Sequence, residues 1–370
     1  MRLLYLTADP GVPVLGHKGA SVHVRELATA LSHLGAEVAI ASPRTEPAGD
    51  SLDAPIDLDL RAELAALGEA VLDVARLFGA EAIYERYSLF SAAGVEAAAT
   101  LGIPHVLEVN APLRAEASRF RKLPHPVLAE EIERAVFRST SSILVVSPAL
   151  RSWLEAEGVA PERVEVVPNA VAPERFGPRH ERSDGAFVTG FCGSLKAWHG
   201  VEALLEACAV AFAEEPSLRL EVVGSGPLEN LVREARLPAD RLVVHGALPH
   251  AEAIERLRGW SAGVAPYLPL DGFYFSPLKV FEYMAAGLCP VASALGEIPA
   301  LLGEGERGVL VRAGDASGLA TALVELARNR GWASELGSRA RAHVLETYSW
   351  ERNARAVLDA LGVLPGELAA

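Results

Sequence analysis

The amino-acid sequence predicts an α/β protein built from two doubly wound domains, each with a parallel sheet. Short runs rich in β-branched residues alternate with longer Ala- and Leu-rich amphipathic segments, which is the pattern of parallel α/β folds. The alternation occurs twice, and a segment rich in Pro, Arg and Gly separates the two series. The chain has 370 residues, half of them apolar, which is enough for two domains with full cores.

The individual strands follow from short apolar runs in each series. The first series starts with the strand RLLYLTA, a glycine-rich loop and the helix VHVRELATALSHLG, and continues with the strands EVAIAS, EAIYER, PHVLEV and SSILVVS. The second series has the strands FVTGFCG, RLEVVGSG, RLVVHGAL, AGVAPYL and CPVAS. Helices are predicted between them at 201–215 and 251–259, and the tail from 316 to 364 is predicted to be mostly helical.

These series define the domain organisation. We predict an N-terminal domain over 1–170, a linker over 171–186 and a C-terminal domain over 187–349. Two doubly wound sheets that face each other bind ligands at the carboxyl ends of their strands. We therefore expect the ligand cleft between the two domains.

Composition excludes several classes of protein. The formal net charge of -14 argues against a nucleic-acid partner, because duplex binding depends on a basic surface that neutralises phosphates. The three cysteines, Cys192, Cys208 and Cys289, form no CxxC pair, which fits a reduced cytoplasm better than disulfides or zinc. No apolar run approaches the roughly 18 residues of a membrane span, and Met1 leads directly into a strand. We predict a cytoplasmic protein.

The segment FYFSPLKVFEYMAAGLCPVAS, residues 273–293, contains the first chemical signal. Ser276 followed by Pro277 predicts a helix that begins with Ser276 as its N-cap. Lys279 then falls at the third helical position, where the helix dipole disfavours a cation unless an anion lies nearby. Such a helix start is a ready phosphate site, and Glu282 on roughly the same face could accept hydrogen bonds from sugar hydroxyls. The alternative is an ordinary Lys–Glu surface pair.

Lysine is scarce, with four lysines among 34 basic residues, so the position of each lysine is informative. Lys18, Lys196 and Lys279 fall in loops after strands or at helix starts, where ligands bind in parallel α/β folds. Neither glycine-rich loop has the GxGxxG spacing of a dinucleotide site. The residues around Lys18 are Gly16, His17 and Gly19, and those around Lys196 are Gly193, Ser194 and His199.

A basic segment covers residues 114–126 in an otherwise acidic protein. It contains Arg114, Arg119, Arg121 and Lys122 together with apolar residues. One interpretation is contact with an anionic acceptor or peripheral contact with the inner face of the membrane. The other interpretation is a solvated loop.

Taken together, these motifs resemble the retaining glycosyltransferases of family 4, which have the GT-B fold of two facing Rossmann-like domains. The resemblance covers nearly the whole chain in order, through VEVVPNAV, GFCGSLKAWHGVEALLEA, LEVVGSGPLE, FYFSPLKVFEYMAAGLCPVAS and YSWERNARAV. It implies a UDP- or GDP-linked sugar donor on the C-terminal domain, transfer with retention, and neither a metal nor another cofactor. The acceptor, a sugar, glycolipid or small molecule, is implied on the N-terminal domain, which the final helix, 350–370, is expected to complete.

The resemblance also implies roles for individual residues. Glu282 matches the glutamate that holds the donor ribose, and Gly193 matches the glycine that approaches the diphosphate. The backbone of Ser276, Pro277 and Leu278 matches the turn under the diphosphate and sugar. Gly246, Ala247 and Leu248 match the region that lines the base, and Gly16 and Gly19 match the N-terminal loop near the phosphates and acceptor.

The sequence departs from the commoner family pattern at the phosphate site. Tyr274 replaces the first signature glutamate, Ser194 and His199 stand in place of the usual arginine and lysine, and Asn110 stands in place of the usual cleft histidine. We therefore expect Lys279 and Lys196 to supply the positive charge that a departing diphosphate needs.

The predicted catalytic set is Lys279, Lys196 and Asn110. The predicted acceptor-side set is Gly19, His17, Lys18, His23 and Arg121, with Glu108 as a further candidate. Two alternatives share this architecture: a nucleotide-sugar 2-epimerase, which would need acid/base groups that the sequence does not clearly supply, and a catalytically inactive nucleotide-sugar sensor. The sequence does not predict the oligomeric state.

Overall fold

The computed structural model of the chain describes residues 1–16, 19–46, 60–120, 122–180, 184–269 and 272–363. The chain divides into two units: Met1–Pro168 together with Trp350–Ala370, and Asn169–Ser349. Residues from Asn169 onwards therefore group with the second unit, including the described part of the segment 171–186.

The first unit contains a six-stranded parallel sheet with the strand order β2-β1-β3-β4-β5-β6. Its strands are β1 (Arg2–Thr7), β2 (Glu37–Ala41), β3 (Ala82–Arg86), β4 (His105–Val109), β5 (Ser142–Val145) and β6 (Val164–Val166). The helices between them are α1 (Gly19–His33), α2 (Leu60–Phe78), α3 (Ala93–Leu101), α4 (Leu113–Phe120), α5 (Pro126–Ser139) and α6 (Pro148–Ala156).

The second unit also contains a six-stranded parallel sheet, with the order β12-β11-β10-β7-β8-β9. Its strands are β7 (Phe187–Cys192), β8 (Leu218–Val223), β9 (Leu242–Gly246), β10 (Ala262–Ala265), β11 (Cys289–Ser293) and β12 (Val309–Val311). The helices are α7 (Val201–Glu214), α8 (Glu229–Arg233), α9 (His250–Arg258), α10 (Leu278–Ala285), α11 (Ile298–Leu301), α12 (Ala316–Arg328) and α13 (Arg330–Thr347).

The last helix, α14 (Trp350–Ala360), packs on α1 of the first unit. The indole of Trp350 meets the imidazole of His23 edge to face, with ring centroids 4.7 Å apart. Asn353 Nδ2 donates a hydrogen bond of 2.8 Å to the carbonyl of Pro168. These contacts connect α14 to the end of the first unit.

The central strands of both sheets are buried, and this explains why they read as continuous apolar runs. Leu3, Leu4, Tyr5 and Leu6 of β1 are each at most 1% exposed, and every residue of β10 and β11 is buried. Parallel sheets with helices over both faces have no solvated side, so alternation of polar and apolar residues is lost. The prediction of two parallel, Rossmann-like domains is confirmed.

Two short strands were not predicted from the sequence. β6 and β12 each have three residues and lie at one edge of their sheets. Such short runs are too brief to show a periodic pattern, and only pairing with a neighbouring strand makes them regular. The ten strands that the sequence predicts are present.

Candidate functional site

The order of strands in the second sheet places a candidate site at the end of β7. Successive strands β7, β8 and β9 extend to one side, and the chain then crosses back to β10, which pairs with β7 on the other side. Ligands of open parallel sheets bind outside the carboxyl ends of the strands at such a reversal. The loops after β7 and β10 are therefore the first place to look for chemistry.

The loop after β7 packs against the loop after β8 through backbone atoms. Gly193 has φ 145°, and a Cβ at Gly224 would lie 1.9 Å from the carbonyl oxygen of Gly193. The N–H of Leu195 donates to the carbonyl of Ser225 at 2.9 Å. Glycine is required because only a residue without a side chain allows this approach and this conformation. The two glycine-rich loops thus form one rigid support.

Lys279 lies over this support with its ammonium buried. Its side chain belongs to α10 and is 9% exposed, and within the described residues Nζ has no hydrogen-bond partner. Nζ lies 4.2 Å from the ring centroid of Phe191 in β7 and 5.2 Å from that of Tyr267 after β10. A Cβ at Gly193 would lie 3.0 Å from Nζ. The lysine therefore reaches the strand reversal, and the alternative of a Lys–Glu surface pair is wrong.

The start of α10 differs from the sequence prediction by one residue. The helix begins at Leu278 with Pro277 at the N-cap, in an extended conformation with ψ 94°, so Lys279 is the second helical residue. Ser276 is not the cap, because its Oγ accepts a 3.0 Å hydrogen bond from the N–H of Asn169, whose Nδ2 donates to the Ser276 carbonyl at 2.6 Å. Asn169 thus fixes the turn before the helix and leaves the N–H groups of the first turn without a side-chain cap.

Burial strongly shifts the pKa values of the ionisable side chains in this region. Desolvation lowers the pKa of Lys279 to about 7, while Cys192 and Glu282 act weakly in the opposite direction. Burial, followed by the repulsion of Lys279, lowers the pKa of His199 to about 3, so that imidazole is neutral. Burial raises the pKa of Cys192 to about 12. Among the residues that the structure describes, Lys279 therefore has no ion-pair partner, and a bound anion would favour its charged form.

Ser194, Lys196 and His199 follow Gly193 in the loop after β7. His199 Nδ1 donates to the carbonyl of Ser194, and its distance to Ser194 Oγ is 3.4 Å. Lys196 is exposed, with Nζ 4.7 Å from the ring centroid of Trp198. It nevertheless lies near enough to His199 to lower the pKa of that imidazole. The two lysines therefore approach the same loop, one from the interior and one from the surface.

Glu282 has a partner that the sequence reasoning missed. His250, the first residue of α9, donates from Nε2 to Glu282 Oε1 at 2.7 Å. The histidine follows the segment Gly246–Leu248, in which Gly246 ends β9 with φ 73° and accepts a 2.7 Å hydrogen bond from the N–H of Gly224. Ala247 is exposed and Leu248 half-buried.

His250 and Asn169 are site residues that the sequence analysis did not identify. The sequence feature that could have indicated His250 is a histidine directly after a proline in a post-strand loop, LPHAEA, and for Asn169 it is the run VVPNAV.

In the first unit, His23 and Glu108 form a buried pair. His23 is 4% exposed, and Nε2 contacts Glu108 Oε1. Tyr5 donates to Glu108 Oε2 at 3.2 Å, and Arg86 lies 3.6 Å from Oε1. Burial alone would raise the pKa of Glu108, but His23, Arg86 and Asn110 lower it to about 2. These contacts, with the stacking of His23 on α14, account for both side chains without a ligand.

The remaining predicted residues of the first unit are spread over two loops. Gly16 precedes α1 so closely that a Cβ would lie 2.7 Å from Ser21 Oγ, and Gly19 is the first residue of α1. Asn110 follows β4 directly and contacts Glu108. His17, Lys18 and Arg121 lie outside the described residues.

The basic segment 114–126 is partly committed to internal ion pairs. Arg114 of α4 donates from Nε to Glu133 at 2.6 Å and lies 3.3 Å from Glu157 through Nη2. Lys122 is exposed. In the described ranges, no helix is long and apolar enough to cross a membrane. Nor does that part of the chain contain a group of three or more His, Cys, Asp or Glu side chains that could hold a metal ion.

Two family models match successive parts of the chain. A model for Glycosyltransferase Family 4 matches residues 17–175, and a model for Glycosyl transferases group 1 matches residues 186–329. The chain is a glycosyltransferase of the family 4 type. Lys279, Glu282 and the glycine-rich loops after β7 and β8 lie within the second match.

Curated relatives of this glycosyltransferase carry related activities in their names. It is 24% identical to a D-inositol 3-phosphate glycosyltransferase of Paenarthrobacter aurescens, over 95% of this chain and 94% of the relative. It is 26% identical to an alpha-maltose-1-phosphate synthase of Mycolicibacterium smegmatis, over 97% and 98%. A phosphatidyl-myo-inositol mannosyltransferase of the same organism is also 26% identical, over 90% and 86%.

Solved structures confirm the fold of the glycosyltransferase. A sucrose-phosphate synthase from Thermosynechococcus elongatus superposes with a TM-score of 0.74 at 21% identity, over 97% of this chain and 98% of that chain. Anabaena HepE in complex with UDP and glucose superposes with a TM-score of 0.72 at 18% identity, over 98% and 100%. The resemblance to this family is thus supported by sequence and by fold.

Proposed function

We propose that this glycosyltransferase uses a nucleotide-diphosphate sugar, linked to UDP or GDP, and binds its diphosphate at the start of α10. One observation carries the proposal: the buried amine of Lys279 has no counter-ion within the described residues. Burying a cation without a partner is costly and persists in proteins mainly where a ligand supplies the opposite charge. The complexes of HepE with UDP and with UDP-glucose support a uridine donor in a protein of the same fold.

In the proposed reaction, the second unit acts on the leaving group. The barrier in sugar transfer is the departure of a charged diphosphate, so electrostatic help at that group is the largest contribution. Lys279 and the first-turn N–H groups of α10 stabilise the developing charge, and Lys196 adds a second cation from the loop after β7. Gly193 allows the diphosphate to approach the backbone, and His199, whose pKa is lowered to about 3, stays uncharged beside it.

The donor nucleoside is proposed to lie beside Glu282 and the loop after β9. Glu282 accepts hydrogen bonds from the ribose hydroxyls, and the backbone of Gly246, Ala247 and Leu248 lines the base. The turn of Ser276, Pro277 and Leu278, fixed by Asn169, lies under the diphosphate and sugar. Backbone groups are proposed to make most of the contacts to the base. Both UDP and GDP are therefore tested as donors.

We propose that the first unit binds the acceptor, which is a sugar, a glycolipid or a small molecule. Asn110 lies near the transferred sugar, and Gly16 and Gly19 allow close approach at the start of α1. Retention of anomeric configuration and independence from metal and other cofactors follow from the family resemblance. The enzyme is proposed to act in the cytoplasm, and the exposed part of 114–126 is proposed to contact the inner face of the membrane when the acceptor is a glycolipid.

The test is a turnover assay with UDP- and GDP-linked sugars and a panel of acceptors that includes inositol phosphate, glucose 1-phosphate and phosphatidylinositol vesicles. Release of nucleoside diphosphate that depends on one acceptor, unaffected by a metal chelator, supports the proposal. Proton NMR of the product gives the anomeric configuration. Conversion of a nucleotide sugar without any acceptor would instead identify a 2-epimerase, and binding without turnover would identify a sensor.

Matched variants locate the activity. Lys279→Met keeps the volume of the side chain and removes its charge, whereas Lys122→Met removes the charge of an exposed lysine in the first unit. We expect the first substitution to lower kcat/KM by about 100-fold or more, as the loss of one electrostatic contact to a leaving group typically does. The second should leave turnover of a soluble acceptor unchanged. Equal activity of the two variants would contradict the assigned role of Lys279.

A further inference from the structure

The contact between His250 and Glu282 connects two elements that are distant in sequence. His250 Nε2 lies 2.7 Å from Glu282 Oε1, and the two side chains are 17% and 16% exposed. His250 begins α9, which follows β9, whereas Glu282 belongs to α10, which follows β10. The pair therefore joins the loop proposed to line the base with the carboxylate proposed to hold the ribose.

The backbone on both sides of this contact is well anchored. On the histidine side, the carbonyl of Gly246 accepts from the N–H of Gly224, which ties the end of β9 to the glycine loop after β8. On the glutamate side, Ser276 is held by two hydrogen bonds from Asn169. The His250–Glu282 hydrogen bond thus has fixed supports and restricts the rotation of the carboxylate.

The geometry leaves part of the carboxylate available. A carboxylate has about four lone-pair positions on two oxygens, and His250 occupies one of them on Oε1. Lys279, three residues earlier on the same helix, points to Phe191 and Gly193 instead and does not form an ion pair with Glu282 among the described residues. Oε2 can accept from a vicinal pair of hydroxyl groups, such as those of a ribose.

A preorganised acceptor binds more tightly than a mobile one. Fixing a glutamate side chain costs rotamer entropy, and a hydrogen bond that already exists in the ligand-free protein meets that cost before binding. A carboxylate aimed at a hydroxyl also discriminates against a ligand that lacks that hydroxyl, because its lone pairs then remain unsatisfied.

We propose that His250 is a positioning residue that aims the Glu282 carboxylate at the ribose hydroxyls and so sets a preference for ribonucleotides over 2′-deoxyribonucleotides. This inference rests on the proposed function, in which Glu282 binds the donor ribose. His250 itself touches no reacting atom; it acts through the carboxylate.

The test measures the dissociation constants of UDP, GDP, 2′-deoxy-UDP and 2′-deoxy-GDP by titration calorimetry. The readout is the ratio of the constants for the deoxy and ribo forms of the nucleotide that binds. We expect the wild-type protein to favour the ribo form by about 10-fold or more, the usual value of a hydrogen bond to a charged acceptor. The variant His250→Phe should reduce this ratio severalfold, and His250→Gln, which retains an N–H at the position of Nε2, should keep most of it.

Two controls separate positioning from general damage. His180→Phe breaks another His–Glu contact of the second unit, the exposed pair with Glu255 at 3.3 Å, and should leave the ratio unchanged. Glu282→Ala should abolish the preference, and adding His250→Phe to it should change the ratio no further. If His250→Phe does not fold, as judged by circular dichroism, His250→Ala is measured in its place.

The outcomes also separate this inference from the proposed function. If the wild-type protein binds UDP or GDP and His250→Phe keeps the wild-type ratio, or His250→Gln loses it as completely as His250→Phe, the positioning role is overturned while the donor site stands. If the wild-type protein binds none of the four nucleotides, the proposed function itself fails and the inference fails with it.

Discussion

Replacement of Lys279 by methionine should make the ligand-free protein more stable. The pKa of Lys279 falls from 10.5 to about 7 because its ammonium is buried among Phe191, Tyr267 and the backbone of Gly193. One pKa unit corresponds to about 1.4 kcal/mol, so burial of this group costs the folded state about 4 kcal/mol at neutral pH. Methionine has nearly the same length and no charge, and it removes this cost.

The stability difference between the wild-type protein and Lys279→Met should depend on pH. A lysine with a lowered folded-state pKa binds fewer protons when folded than when unfolded at pH values between the two pKa values, about 7 and 10.5. The free energy of unfolding of the wild-type protein should therefore rise with pH in this window relative to Lys279→Met. We expect the advantage of the variant to shrink by about 2 kcal/mol between about pH 7 and about pH 9.

The assay is urea denaturation followed by circular dichroism at both pH values. Comparison with Lys279→Met cancels the titration of other groups, and Lys122→Met, at an exposed position, controls for the loss of a surface charge. Parallel pH profiles for the wild-type protein and Lys279→Met, or a variant less stable than the wild type near neutral pH, would refute the assignment of a buried, unpaired amine.

Two glycines, the Glu108 carboxylate and the Lys279 amine can each be tested by a single measurement. Gly193→Ala, at φ 145° and with a Cβ 3.0 Å from the buried Nζ, should weaken nucleoside diphosphate binding by about 10-fold or more in calorimetry, since backbone and lysine must both shift. Gly190→Ala, whose Cβ would lie 2.0 Å from the ring of Trp260, should lower the free energy of unfolding by about 3 kcal/mol, whereas Gly331→Ala, with nothing within 4 Å, should not. Glu108→Gln should lower the free energy of unfolding by about 3 kcal/mol near neutral pH, because the pKa of Glu108 is lowered in the folded state. The wild-type protein should lose this stability as the pH falls from 4.5 towards about 2, and the variant should not. The affinity of the wild-type protein for nucleoside diphosphates should fall as the pH rises above about 7, because the Lys279 amine must then take up a proton to bind the anion. The affinity of Lys279→Met should not fall in this way.

The sequence predicted the architecture because the central strands of both sheets are buried. The apolar runs of β7, β10 and β11 stand out from the helices around them. The three-residue strands β6 and β12 escaped prediction because pairing at the sheet edge, a non-local interaction, defines them.

The candidate site was predictable only where scarcity or local chemistry marked a residue. Lys279 was identified by the scarcity of lysine and by its place near a helix start, although the hydrogen bond from Asn169 to Ser276 moved that start by one residue. His250 was missed because nothing local distinguishes a histidine at a helix start from one that pairs with a carboxylate 32 residues away. Such contacts depend on the order of strands in the sheet, which periodicity does not encode.

The most direct test of the account is a crystal structure of the protein with UDP or GDP, whichever raises the melting temperature. We expect a terminal phosphate oxygen within about 3 Å of Lys279 Nζ and a ribose hydroxyl within about 3 Å of the Glu282 carboxylate, the distances of charge-assisted hydrogen bonds. A bound nucleotide whose diphosphate lies elsewhere, with the amine of Lys279 still buried among aromatic rings, would contradict it.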